Sequence, residues 1–166
     1  MKELSIENRH PECRLRSQLF RSFCRWLLKQ EPIRSYATEG YLLNILLLPD
    51  EEMQKWNREL LQHEGTTDVI SLTYHDDGAL PKGILCGDIL VNPDEAQRQA
   101  PRYQTTPSEE LARYVIHGLL HLCGWEDTTP EQRRAMRIEE DRLLVEARKY
   151  YTVDSFWERM NQRKRP

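Results

Sequence analysis

Hydrophobic positions along the chain change their spacing from segment to segment, and each change marks an element. Leu4 and Ile6 alternate with polar neighbours, which predicts a short strand before the His10-Pro11 break. Leu15, Leu19, Phe20, Phe23, Trp26 and Leu27 follow helical spacing with arginines opposite, so an amphipathic helix is expected from about Cys13 to Lys29, closed by Glu31-Pro32. Gly40 to Leu48 is nearly continuous in apolar residues, as in a strand buried on both faces. Asp50 then stands where it could cap a helix with Met53, Trp56, Leu60 and Leu61 as its inner stripe, and Gly65 is expected to end it. Two further strands are read in Asp68 to Tyr74 and Ile84 to Val91, separated by turn chemistry at His75-Asp76-Asp77-Gly78. Gly87 inside the second marks a bulge or a close approach.

The second half reads as helices. Asn92 caps one that begins at Pro93 and that Pro101 is expected to stop. Another opens at Pro107 with Ser108 as its cap, burying Leu111, Val115, Leu119 and Leu122. Thr129-Pro130 starts a third, running to about Tyr150 with Met136, Leu143, Leu144 and Ala147 inward. A last short helix is expected from Asp154 to Met160, ahead of a basic tail. The fold class is therefore α+β: a small mixed sheet of about four strands packed with five to six helices.

Composition narrows the setting more than the function. A chain of 166 residues, 39% hydrophobic and 31% charged, is most simply one globular domain. The longest apolar run, Leu42 to Leu48, is too short to span a bilayer, so no membrane segment is expected. Met1-Lys2-Glu3 leads into no apolar secretory stretch. Cys13, Cys24, Cys86 and Cys123 form no C-x-x-C pair, which reads as reduced thiols in a cytoplasmic protein. A net charge of −3 gives no global attraction to nucleic acid. Any such partner must meet a local basic patch, for which Arg14, Arg16, Arg21 and Arg25, or Arg159, Arg163, Lys164 and Arg165, are the candidates beside the simpler reading of solvated charge.

The chemistry concentrates in Tyr114 to Asp127. His117 and His121, at i and i+4, sit about 40° apart on a helix and can grip one ion. Gly124 suits the left-handed turn that ends the helix, and Asp127 returns as a hard oxygen donor. Three protein ligands with an open fourth position is the layout of a catalytic zinc site. Two histidines on a Leu-rich helix can also be core residues bonded to carbonyls, but the pair, the glycine and the acid at this spacing favour metal. The pattern parallels the zincin helix of the metzincins, except that Gly118 stands where a metalloprotease carries its general-base Glu. Gly118 argues against peptide hydrolysis by that route. Cys123 lies about 200° around the helix from His121 and belongs to the core.

These residues resemble the His-Gly-x-Leu-His-Leu-x-Gly-[Tyr/Trp]-Asp-His signature of the YbeY family, matched at His117, Gly118, Leu120, His121, Leu122, Gly124 and Trp125. Thr67-Asp68-Val69-Ile70-Ser71 and Gly87-Asp88-Ile89 are similar to the family's Thr-Asp-Val-Leu-Ser and Gly-Asp-Ile strands, and Met136 with Glu139-Glu140 falls where members place a Met and a Glu. The resemblance runs from about Leu46 to Leu144, within a single domain taken as residues 1–166 with a short basic C-terminal tail. It implies a metal-dependent, single-strand-specific endoribonuclease of the cytoplasm, acting in 16S rRNA 3'-end maturation and ribosome quality control. It also implies one Zn(2+) per chain on His117, His121 and Asp127, with ribosomal RNA and the small ribosomal subunit as partners and no DNA. Ser71 and Asp88 are carried near the site by the same resemblance.

Two positions depart from the family pattern. The third ligand, usually His, is Asp127 here, and the Arg four residues beyond the helical Asn57 is Leu61. Arg58, one turn earlier, is the candidate to substitute for it, with a plain surface role as the alternative. A metal on this triad would lower the pKa of its water, stabilise phosphoryl charge, or both. Asp127 offsets more metal charge than a neutral His and leaves that water less acidic. Glu126, Asp68 and His63 are the open choices for a general base. The rival readings are a ribosome-associated, metal-stabilised RNA-binding factor with little nuclease activity, and a metal hydrolase of another substrate.

Overall fold

The structure is a computed structural model and describes residues 1–74 and 81–160. The His75-to-Gly78 turn and the basic tail beyond Met160 lie outside the described residues. In chain order the elements are β1 (Lys2–Asn8), β2 (Cys13–Leu15), α1 (Ser17–Leu27), α2 (Ile33–Tyr36), β3 (Gly40–Leu47), α3 (Asp50–Leu61), β4 (Val69–Thr73) and β5 (Ile84–Val91). Then come α4 (Pro93–Tyr103), α5 (Pro107–Leu122), α6 (Pro130–Ala147), a 3-10 turn at Val153–Ser155 and β6 (Trp157–Arg159). The main sheet has the order β1-β3-β5-β4, with β1, β3 and β5 parallel and β4 antiparallel at the edge. This is the expected α+β architecture, a four-stranded mixed sheet with six α-helices among the described residues.

The alternation of each strand decides what covers it. Leu43, Ile45 and Leu47 of β3 with Leu85, Ile89 and Val91 of β5 face the larger core, made with α1, α4 and α5. Leu90 and Ile70 point the other way, under Met53 and Trp56 of α3. Asn44 and Asp88 share that second face beyond the reach of α3, where the Asn44 amide and the Tyr74 hydroxyl both donate to Asp88. Asp88 is therefore on the side of the sheet away from α5.

Helix α5 crosses the sheet closely because two glycines let it. A Cβ at Gly118 would come within 2.7 Å of Ile89 Cγ2, and one at Gly87 within 2.4 Å of the Leu72 carbonyl and 2.7 Å of Leu122 Cδ2. Close approach, rather than a bulge, is thus the reason for Gly87. The helix is buried almost all round, with Ala112, Tyr114, Ile116 and Leu120 joining the four residues that periodicity picks out. Fully burying each such Leu, Ile or Val contributes about 1.5–3 kcal/mol relative to exposure. Only His117 and His121 break its buried second half.

Several local expectations yield to longer-range pairing. Cys13 to Leu15 peel away from the first helix as β2, which pairs antiparallel with β6, so the expected C-terminal helix is a short turn and a strand instead. Ser108 does not cap α5. Its buried hydroxyl donates to the Trp157 carbonyl and accepts from the Trp157 amide, while Thr106 accepts from Glu109 N as the cap. Asp50 is the first residue of α3 and directs its carboxylate to Asn92 and Arg98. That helix ends not at Gly65 but at Gln62, which takes the left-handed conformation, and Leu60 and Leu61 are exposed rather than inward. Pro101 is accommodated inside the last turn of α4, and α6 stops at Ala147. Asn92 and Thr129 cap as expected, the latter in a full capping box with Gln132.

Candidate metal centre

The ligand loop is built by the end of α5. Gly124, with φ +85°, donates to the His121 carbonyl at 2.9 Å and Trp125 N donates to the Leu120 carbonyl at 3.0 Å. This Schellman arrangement reverses the chain just past the histidines. The first turn of α6 then pins the loop: Gln132 Oε1 accepts from the amides of Thr128 and Thr129, and Arg133 Nη1 donates to the carbonyls of Asp127 and Thr128. Asp127 is thereby returned to the histidine face.

His117 Nε2 lies 3.0 Å from His121 Nε2, and Asp127 Oδ2 lies 3.3 Å from the first and 3.4 Å from the second. Among the described residues these three form the one cluster with metal-ligand spacing. A tetrahedral ion with bonds of about 2.0–2.1 Å separates its ligand atoms by about 3.3 Å, so the triangle has the right size. The proton arrangement agrees. His117 Nδ1 faces Glu140 Oε2 at 3.0 Å and His121 Nδ1 faces the Trp125 carbonyl at 2.9 Å. Both Nδ1 positions therefore carry the hydrogen when the rings are neutral, leaving two Nε2 lone pairs and a carboxylate oxygen aimed at one point. With both rings neutral, three acceptors converge without a donor, an arrangement that suits a cation.

Behind His117, Glu140 is buried and its Oε1 meets Arg113 Nη1 at 3.4 Å, while Arg113 Nη2 holds Asp141 at 2.8 Å. Burial opposes charging His117, but the Glu140 hydrogen bond and the negative charges of Glu140, Asp68 and Asp127 together outweigh it and the imidazole's pKa is raised. Cys123 sits fully in the core and burial pushes its thiol up to about 12, as its helix angle implies. Gly118 turns toward Ile89 and Ser71, away from the ligands, so this helix has no room for a carboxylate there.

Two clefts meet at the donors. One, on the β4 side, is lined by Leu61, His63, Asp68, Ser71, His117, His121 and Asp127 among others. The other runs between α4, α5 and α6 past Gln99, Tyr103, Glu110, Arg113, Tyr114, Arg133 and Arg137, and it shares Asp68, His117 and Asp127 with the first. Ser71 donates to the Gly118 carbonyl at 3.3 Å and so ties β4 to α5. Arg58 is exposed on α3 and lines neither cleft, whereas Leu61 lines the first. Glu126 accepts from Gln132 and lines neither cleft, leaving Asp68 and His63 as the cleft residues among the proposed bases. Arg21 donates to the Leu4 carbonyl on β1, at the opposite edge of the sheet from β4, and Arg25 lines a separate hollow beside Lys2 and Tyr41. The basic groups beside the donors are instead Arg113, Arg133 and Arg137. Sequence reading missed them, although Arg133 and Arg137 fall six and ten residues after Asp127 on a helix whose cap was legible.

A family model described as Endoribonuclease YbeY matches residues 5–148. The chain belongs to the YbeY family. Relatives of that name include one from Elusimicrobium minutum, 36% identical over 110 residues covering 66% of this chain and 77% of its own length. A second, from Salinibacter ruber, is 32% identical over 146 residues, covering 85% and 89%. The YbeY-family chain also shares its fold with the solution structure of TM1509 from Thermotoga maritima, at a TM-score of 0.57 and 22% identity over 98% of this chain and 100% of that one.

Proposed function

We propose that this YbeY-family chain is a metal-dependent endoribonuclease for single-stranded RNA, holding one Zn(2+) on His117, His121 and Asp127. Within that reading it acts in the cytoplasm in 16S rRNA 3'-end maturation and ribosome quality control, with ribosomal RNA and the small ribosomal subunit as partners. The observation that carries the reading is the convergence of three acceptor atoms at the junction of two clefts, in a chain whose relatives are named endoribonucleases.

A divalent cation held by His117, His121 and Asp127 would supply Lewis-acid stabilisation of phosphoryl charge and would make water at the junction more acidic. The chain's own residues do the rest. Glu140 and the Trp125 carbonyl fix both imidazoles with Nε2 toward the junction. Asp68 lines both clefts, with its Oδ1 accepting from the Val69 amide and the Thr67 hydroxyl, and its carboxylate is our choice of base for the attacking water. Arg133 and Arg137, together with a cation at the triad, would offset the carboxylates Asp68, Glu110, Asp127 and Glu140 of the same cleft and so hold a phosphodiester strand.

One observation favours the second reading, an RNA-binding factor with little nuclease activity: the cleft position of the family Arg is filled by Leu61. Cleavage of a single-stranded RNA with zinc or manganese supplied, by wild type beside His117→Ala and Leu61→Arg, separates the two. Cleavage abolished by the first substitution and raised by the second supports the nuclease. Salt-dependent binding with no cleavage by wild type makes the factor the better account.

A further inference from the structure

The cleft between α4, α5 and α6 has a volume of about 290 Å³. That is near the lower bound of small-ligand sites, about 300–1,000 Å³, and suits one nucleoside rather than a length of duplex. Its chemistry is uneven. At its mouth stands Tyr103, 56% exposed, with the Arg137 guanidinium 5.4 Å from its ring centroid. Aromatic rings and guanidinium planes are the surfaces on which unstacked bases settle. Arg113 and Tyr114, which also line it, each carry a buried polar atom without a hydrogen-bond partner among the described residues, Arg113 Nε and Tyr114 Oη. Tyr114 is only 4% exposed, and it lines the cleft together with Asp68, Glu110 and Tyr103. An unpartnered buried hydroxyl costs free energy that a bound polar edge can recover.

We propose that this cleft is a recess for one unpaired nucleobase flanking the cleaved phosphate, stacked at Tyr103 and Arg137 with its polar edge toward Tyr114 Oη and Arg113 Nε. The inference rests on the endoribonuclease reading and adds a cause for strand selectivity. Because the recess shares His117, Asp127 and Asp68 with the metal junction, a base seated in it places its own phosphate at the junction. A base still paired in a duplex cannot leave its stack without a further cost, so a double strand is rejected at this step.

The test uses single-stranded oligoribonucleotides carrying one abasic residue at successive positions around the cleavage site, read by both equilibrium binding and kcat/KM. Removing one particular base should weaken binding to wild type about tenfold, in line with base–aromatic stacking, while removing bases elsewhere changes it less than twofold. Tyr103→Ala should lose the same factor on intact RNA and be insensitive to the abasic position, Tyr103→Phe should keep both, and Tyr114→Phe should lose several-fold. The exposed Tyr150→Ala should behave as wild type. Equal effects at every abasic position overturn the recess, even if wild type cleaves RNA well. Position-dependent binding without cleavage by wild type keeps the recess and removes the nuclease reading instead.

Discussion

Replacing Glu140 by Gln keeps the shape of the side chain and removes its charge, at the one residue that joins His117 to the buried Arg113. Glu140 is 5% exposed and Arg113 8%, so the pair is broken in a poorly solvated place. Removing one partner of a buried ion pair costs about 3–5 kcal/mol. Here Arg113 keeps Asp141 at 2.8 Å and its contact with Glu140 is long at 3.4 Å, which brings the expected loss to about 2–3 kcal/mol. For a chain of this size that lowers the Tm of the metal-free protein by about 5–10 °C. The effect on metal is separate. A glutamine oxygen can still accept from His117 Nδ1, but without negative charge the ring is a poorer donor, and such outer carboxylates are worth about 10–100-fold in affinity. Calorimetric melting of metal-free protein and zinc titration against a competing chelator read the two effects independently. A zinc affinity within twofold of wild type, at whatever Tm, would refute the argument that Glu140 orients and enriches the His117 donor.

Other substitutions probe separate links. Gly118→Ala drives a methyl to within 2.7 Å of Ile89 Cγ2 and should cost about 1–3 kcal/mol in denaturant unfolding, with metal content retained if the helix shifts as a unit. Cys123→Ala should lose about 1 kcal/mol or more and leave zinc stoichiometry at wild-type level; loss of zinc without loss of stability would reverse the core assignment. Asp50 is held at about 2, first by its hydrogen bond with Arg98, so its stabilisation is present above the ordinary carboxylate pKa and lost as pH falls toward 2. Asp50→Asn should therefore cost about 1–2 kcal/mol near neutrality, a figure reduced for solvent access, and the gap from wild type should close between about pH 4 and pH 2 in urea melts.

What the sequence reveals and what it hides divide along sequence separation. His117, His121, Gly124 and Asp127 are legible because one helix and its C-terminal turn bring them together by local geometry alone. The caps Asn92 and Thr129 are legible for the same reason. Ser108 misleads because a cap residue and a strand-docking residue have the same hydroxyl, and only the arrival of Trp157, 49 positions later, decides between them. The arginines of α1 mislead in a different way. They form a convincing basic face, but the sheet order sets β1 and β4 at opposite edges, and the junction lies at the β4 edge.

The same division explains where control of the site resides. The donor atoms come from 11 residues of chain, and the Trp125 carbonyl that orients His121 lies among them, yet the rest of what orients, charges and flanks the donors comes from other elements: Glu140 and Arg137 on α6, Tyr103 at the end of α4, Asp68 before β4. Spacing rules see the donors because a helix repeats at short range; they do not see the supporting residues because those are placed by how α4, α6 and the start of β4 pack against α5. A chain could therefore keep the ligand pattern and lose the activity through changes on α6 alone. Equally, Asp127 in place of the usual His and Leu61 in place of the usual Arg need not be read as loss while Glu140, Arg133 and Arg137 remain in place around the junction.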